Sequence, residues 1–260
     1  MVRRLLVRGM FAGLLAGLLA FGFGRVLGEP AVERAIAFEA AMDAARDGVH
    51  EHGRAENGHA DEEVVVSRPV QAGAGLLTAV VVYGAAFGGL FALVFAAVHG
   101  RAGSLPPRAT AALLAGTGFV TVYLVPSLKY PANPPAVGEA DTIGQRTALF
   151  FAMLAISVAA AVVAGMLRKP LAARLGAWNA ALVAGAAYLV PVVIAAALLP
   201  AVNEVPEGFP AALLWQFRLA SAGMQLVMWT VLGLAFGALA ERVLAPENSL
   251  IPGGQARFRV

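Results

Sequence analysis

The chain has 260 residues, 59% of them hydrophobic and 13% charged, with a formal net charge of +3. Soluble domains hold about a quarter charged residues, so a water-soluble globule is excluded. Cysteine is absent, which removes thiolate metal sites, thiol catalysis and disulfides.

The chain opens with Arg3, Arg4 and Arg8 and an apolar run at about residues 5–27. The run is long and lacks a convincing small-residue cleavage site, so it reads as a retained first helix. Gly9, Gly13 and Gly17 repeat every four residues and give that helix one smooth face for a neighbour. Residues 29–68 are polar. Their first half is helical by pattern, with Pro30 in the first turn and Gly48 near the C-cap. Val32, Ile36 and Met42 make a weak apolar side, and Glu39, Asp43 and Asp47 fall on one acidic stripe. His50, Glu51 and His52 follow, then His59 and the acids Asp61, Glu62 and Glu63.

Further apolar runs cover residues 70–98, 109–127, 147–167, 177–199 and 213–239. Runs of about 20 residues cross roughly 30 Å of hydrocarbon. The expectation is an all-α integral membrane protein with six transmembrane helices and a long extracytoplasmic loop after the first. Residues 1–245 form the membrane domain, and 246–260 a flexible cytoplasmic tail.

Residues 128–146, LKYPANPPAVGEADTIGQR, join the third and fourth helices. Pro131, Pro134 and Pro135 exclude helix and central strand, leaving a stiff, extended cap. Lys129 and Arg146 mark its ends, and Asn133 lies between the prolines. Asp141 and Thr142 stand at the N-cap of the next helix, with Gln145 as a capping partner.

The side holding both termini carries most of the basic residues, among them Arg101, Arg108, Arg168, Lys169 and Arg242, and few acids. Basic residues in short loops stay in the cytoplasm, so both termini are expected there, in the inner membrane, with the histidines outside. The positive charge is thus a topology signal, and no nucleic-acid partner is expected.

Three hairpins look like copies of one unit. Leu14-Leu15-Ala16-Gly17, Leu113-Leu114-Ala115-Gly116 and Leu182-Val183-Ala184-Gly185 recur in the odd helices. Tyr-Leu-Val-Pro occurs at 123–126 and again at 188–191. Arg68, Arg146 and Arg218 each begin an even helix. The reading is three parallel two-helix repeats about an axis along the membrane normal, set against coincidence among abundant Ala, Leu and Gly.

MFAGLLAGLLAF, the HEHG loop, SRPVQAGAGLLTAVVVYGAAFGGLFAL, LKYPANPPAVG with QRTALF, and FRLASAGMQLVMW together resemble the CbtA family of probable cobalt transporter subunits. The resemblance implies an inner-membrane component of a cobalt uptake system linked to cobalamin synthesis. It also implies a small one-helix, histidine-bearing partner of the CbtB kind.

His50 and His52, joined by His59, Asp43 and Asp47, suit a borderline divalent ion such as cobalt, nickel or zinc. That ion is read as substrate, with no permanently bound cofactor. The alternative is a solvated polar loop. At membrane depth the polar or soft groups include Thr121, Met153, Ser157, Asn179, Met224 and Gln225. Asn179 and Gln225 either line a path or make helix–helix hydrogen bonds. Three readings stand for the arginines: snorkelling to headgroups, an anion site, or locking pairs. The pairs would be Arg146 with Asp141 or Glu139, Arg218 with Glu204 or Glu207, and Arg68 with Glu62 or Glu63. No phosphate loop, His-Glu-x-x-His, paired carboxylates or serine nucleophile motif occurs at membrane depth, so no enzyme is expected. The alternative to a transport subunit is a scaffold that binds metal and presents it to a partner. A homo-oligomer is left open.

Overall fold

The computed structural model describes residues 1–50, 67–101 and 104–244. Helix α1 (Val2–Phe23) runs through a wide π-turn, Gly24–Gly28, into α2 (Glu29–His50). The helix start expected at Pro30 is therefore a continuation. An interior proline clashes with the carbonyl four residues earlier. The π-turn just before Pro30 widens the backbone there and accommodates the ring. The rod from Val2 to His50 is about 70 Å long, so α2 extends well past the roughly 30 Å of a hydrocarbon layer.

Short α3 (Arg68–Val70) and a second π-turn, Gln71–Gly75, lead into α4 (Leu76–Val98). Gly100, at φ 79°, turns the chain after it. The pair Pro106-Pro107 opens α5 (Pro107–Gly118), where the missing N–H groups cost nothing. A third π-turn, Phe119–Leu124, precedes α6 (Val125–Lys129) and its Pro126, in the same order as at Pro30.

Helix α7 (Ile143–Leu198) is interrupted at Gly176, where φ is 78° and ψ 161°. The chain folds back there. Ser157 Oγ lies 3.0 Å from the Tyr188 hydroxyl, 31 residues on. A straight helix would hold those residues about 46 Å apart. Helix α8 (Ala211–Leu244) completes the fold. Counting α7 once, five helices among the described residues are long and apolar enough to cross a membrane, where the sequence leads one to expect six. The difference is α7, whose arms cover the two separate runs expected at 147–167 and 177–199.

Three apolar cores form among the described residues. In the first, α1, α4, α5 and α8 bury Ala12, Ala16, Phe91, Phe95, Trp229 and Phe236. Its Phe87–Trp229, Phe91–Phe236 and Phe95–Phe236 contacts are edge-to-face, with the Phe95 and Phe236 centroids 5.0 Å apart. The smooth glycine face is real: a Cβ on Gly9, Gly13 or Gly17 would strike the carbonyl oxygen of Gly88, Gly84 or Val80. In the second, α6 and both arms of α7 bury Met153, Ala160, Val192 and Ala195. The third lies at one end, where α2 meets the proline cap and the segment before α8 through Ala31, Ala35, Val137, Phe209 and Leu213. The side of α2 that is buried is thus Ala31 and Ala35 with Phe38 beside them, while Val32, Ile36 and Met42 are only half-buried. Small residues face the contact because α2 lies close against the cap.

The opposite end gathers the start of α1, the start of α5 and the end of α8. Arg8 donates to the Leu239 carbonyl at 2.8 Å, and Arg108 pairs with Glu241. The expected hairpins pack unequally. Helix α1 lies along α4 and α8, α5 lies along α8, and the arms of α7 lie on each other and on α6. These pairings do not establish a threefold axis.

Candidate functional site

The acidic arm comes first in chain order. Glu39 and Asp43 are exposed on α2, and the helix carries Asp47 and His50 at its far end. His52 and His59, with Glu51, Asp61, Glu62 and Glu63, lie outside the described residues. Arg68 opens α3. Among the described residues, no group of three or more His, Asp or Glu could hold a metal ion.

The proline cap is built as a latch around one carboxylate. Glu204, in the segment between α7 and α8, accepts the Glu139 N–H at 2.9 Å and the Thr142 hydroxyl at 2.9 Å. Arg146 Nε stands 3.3 Å from the same oxygen as an ion pair, without the alignment of a hydrogen bond. A second nitrogen of Arg146 donates to the Glu139 carbonyl at 2.9 Å. The partner expected for Arg146 was Asp141 or the Glu139 carboxylate. It is Glu204 instead, and Glu139 takes part through its main chain, while Asp141 is exposed.

Arg218 does not pair with Glu204 or Glu207. It donates to Asn133 Oδ1 at 3.0 Å, which ties α8 to the cap, and its Nε is buried without a hydrogen-bond partner. Tyr130 adds a third tie, donating to the Pro200 carbonyl at 2.8 Å. The Lys129 ammonium stands over the Tyr130 ring, 5.9 Å from its centroid.

Local backbone explains how the cap reaches these partners. It carries no regular secondary structure over 131–134 and then reverses, with Val137 N–H bonding the Pro134 carbonyl at 3.2 Å. The cap is therefore not extended throughout. Ala136 sits at φ 67°, a left-handed position that usually goes to glycine. Gly138, at φ 115°, leaves room for the Arg146 guanidinium, which a Cβ would strike. Thr142 is the N-cap of α7, but its side chain makes no capping bond. The hydroxyl is engaged by Glu204 and by the Glu139 carbonyl, so the expected capping pair with Gln145 does not form.

The electrostatics follow from these contacts. The Glu139 N–H, the Thr142 hydroxyl and Arg146 hold Glu204 below its ordinary value of 4.5, against the upward push of burial.

At membrane depth, Ser157 is fully buried and bonded to Tyr188, Thr121 is 6% exposed and Met153 1%. Asn179 is exposed and donates back to the Leu175 carbonyl at 3.2 Å. Gln225 is half-buried in α8. Two residues escaped the sequence reading. Glu29 is buried and partnered where α1 gives way to α2. His99, at the end of α4, stacks on Phe95 and lies 3.3 Å from the Thr110 hydroxyl. Nothing local in the sequence distinguishes the buried Glu29 from the exposed acids that follow it.

The comparison with known families decides the class. The model of the CbtA family, the probable cobalt transporter subunit, matches residues 2–241. The chain belongs to the CbtA family. It is accordingly a multi-pass membrane protein of cobalt transport. None of the curated proteins and none of the solved structures matches this CbtA chain.

Proposed function

We propose that the chain is the membrane subunit of a cobalt uptake system that supplies cobalamin synthesis. The single observation that carries this reading is the family match over residues 2–241. The transported ion is substrate, not a resident cofactor. The reversal of α7 at Gly176 supports six passes, with both termini on one face. The arginines at the terminal end favour the cytosolic face of the inner membrane for that end, so the acidic arm reaches outward. His50, His52, His59, Asp43 and Asp47 are proposed to capture the ion from outside. Imidazoles must be neutral to ligate, so capture weakens as pH falls through about 6.5.

Arg146, Arg218 and Asn133 are proposed as latch residues that close the outer end, with Lys129, Arg68 and Asp141 at its rim. The chain carries no nucleotide-binding loop, so transport is secondary, channel-like or driven by a partner subunit. A one-helix, histidine-bearing subunit is the expected partner.

Uptake of Co²⁺ into proteoliposomes containing the chain alone tests the transport reading. Binding without uptake, restored to uptake by a partner, would instead favour a metal-presenting scaffold. Cysteines placed singly in the arm test orientation, because the native chain has none. Labelling of those cysteines only from the cytosolic side would reverse the topology.

A further inference from the structure

We propose that the reversal of α7, at the end opposite the latch, binds anionic phospholipid headgroups, with Arg168, Lys169 and Arg174 as the cationic contacts and Trp178 beside them against the acyl chains. This goes beyond the transport reading and does not depend on it. The shape of α7 comes first. Ser157 is 19 residues before Gly176 and Tyr188 is 12 residues after it, yet their side chains meet at 3.0 Å. Straight arms would hold the two residues about 28 Å and about 18 Å from the reversal. Helical side chains lean toward the N-terminus of their helix, which carries the Tyr188 hydroxyl toward Gly176 and Ser157 Oγ away from it. Leaning therefore widens the mismatch, and about 10 Å of the first arm must run sideways. Pro170 stands inside the helix and is the place for the bend, because its ring strikes the carbonyl four residues earlier and it donates no N–H. The stretch from Pro170 to Gly176 then crosses from one arm to the other.

Length sets the level of that crossing. Residues 147–167 carry no charge. As helix they span about 31 Å, the thickness of the hydrocarbon layer, from Arg146 at the latch to Arg168. Arg168, Lys169 and Arg174 thus lie at the far membrane edge. In the orientation proposed above this is the cytosolic leaflet, whose surface is negative.

Three other basic side chains away from the latch are already engaged by protein. Arg8 donates to the Leu239 carbonyl, Arg108 pairs with Glu241, and Arg101 closes on the end of its own helix. The side chains of Arg168, Lys169 and Arg174 make no hydrogen bond or ion pair among the described residues. No Asp or Glu occurs from 142 to 203. From Ala161 to Val183 only Ala180 is buried, so no other element covers the crossing. Trp178 is 75% exposed just past Gly176. Three cations within seven residues, with no local acid, attract anionic lipid, and guanidinium forks match phosphate oxygens. An exposed tryptophan at a membrane edge sits at headgroup level.

Quenching by brominated lipid tests the proposal. The full chain is reconstituted in equal parts phosphatidylcholine and phosphatidylglycerol, with bromine on the acyl chains of one lipid or of the other. Trp178 and Trp215 stand at opposite ends of the bundle, and Trp178→Phe or Trp215→Phe isolates each signal by difference. At Trp178 the quenching should show a preference for phosphatidylglycerol of roughly fivefold, the scale of one basic residue at a negative surface, and salt should weaken it. Trp215 should show none. The combined Arg168→Gln, Lys169→Gln and Arg174→Gln variant should lose the preference, and Arg168→Lys with Arg174→Lys should keep it. Should the glutamine variant fail to fold, the lysine variant and the contrast between Trp178 and Trp215 still decide. Equal quenching by both lipids at Trp178 overturns the proposal. So does an equal preference at Trp215, which would mean that net charge alone recruits the lipid. Inorganic phosphate at matched ionic strength should not displace the lipid; displacement would mark a site for a soluble anion and overturn the lipid reading. None of these outcomes measures Co²⁺ uptake, so the transport reading stands or falls separately.

Discussion

The two halves of the membrane bundle solve the same packing problem in opposite ways. Helices α1 and α4 meet through Gly9, Gly13, Gly84 and Gly88, backbone against backbone. Lipid supplies no hydrophobic drive between helices, so close approach and dispersion must hold them. The α6–α7 half uses larger side chains, a buried hydroxyl pair, a π-turn and internal prolines. The first half therefore behaves as a rigid frame, since any added atom collides. The second carries Pro126, Pro170 and Pro191 within its helices, each of which removes one backbone donor.

The largest expected effect breaks the frame. Gly13→Val pushes a branched side chain into the Gly84 carbonyl and should cost about 3 kcal/mol. Gly185→Ala is the matched change in the other half, where a Cβ meets nothing within 4 Å. There the gain in helix propensity should leave stability unchanged or raise it by up to about 1 kcal/mol. Melting of the detergent-solubilised protein, followed by circular dichroism, compares them. Equal losses would erase the distinction between the halves.

Next comes the cluster that joins α2 to the latch. The Phe38 and Phe209 rings meet edge-to-face at 5.0 Å. Phe38 is only half-buried, so Phe38→Ala should cost about 2 kcal/mol, below the range for a fully buried ring. The loss should appear as faster proteolysis within α2 while the membrane helices stay intact.

How much of this could be read from the residues differs by region for a physical reason. The glycine face, the apolar runs and the proline cap are local patterns, and the structure contains them. The twin Tyr-Leu-Val-Pro segments are visible too, but the pairing of Tyr188 with Ser157 depends on the reversal at Gly176. The latch partners were not visible. Glu204 is 58 residues from Arg146, and Glu139 and Asp141 are far nearer in sequence. Tertiary packing selects the distant carboxylate because Gly138 turns the near ones aside and presents main-chain N–H and C=O instead. The buried side of α2 was misread for a similar reason. Hydrophobicity favours Val32 and Ile36, but a close docking surface selects Ala31 and Ala35.

A smaller effect concerns the charge of the latch. Glu204 is held below 4.5 in the folded chain, so its contribution is present above that value and is lost as pH falls through the lowered one. Glu204→Gln removes the charge but keeps an acceptor for the Glu139 N–H. At neutral pH, amide exchange across 131–146 should be faster in Glu204→Gln than in wild type. Once the pH has fallen below the lowered value the two should converge. A difference that persists in acid would mean that shape, not charge, closes the cap. Arg146→Ala should exceed Glu204→Gln at neutral pH, since it removes the ion pair and also the hydrogen bond to the Glu139 carbonyl.

The smallest effect is the sharpest test of how the cap is balanced. Ala136 holds a left-handed conformation, φ 67°, which costs an L-residue roughly 1 kcal/mol or more. Its methyl packs against the cluster of Ala31, Val137 and Phe209, and burying one such group contributes about 0.8 kcal/mol. Ala136→Gly removes both terms, and glycine adds its own disorder in the unfolded chain. The three nearly cancel, so the melting temperature should move by no more than a degree or two. A clear rise would mean the strain outweighs the packing. A fall of several degrees would mean the methyl is a key contact between α2 and the cap, and the apolar cluster, not the polar latch, would then be what holds that end together.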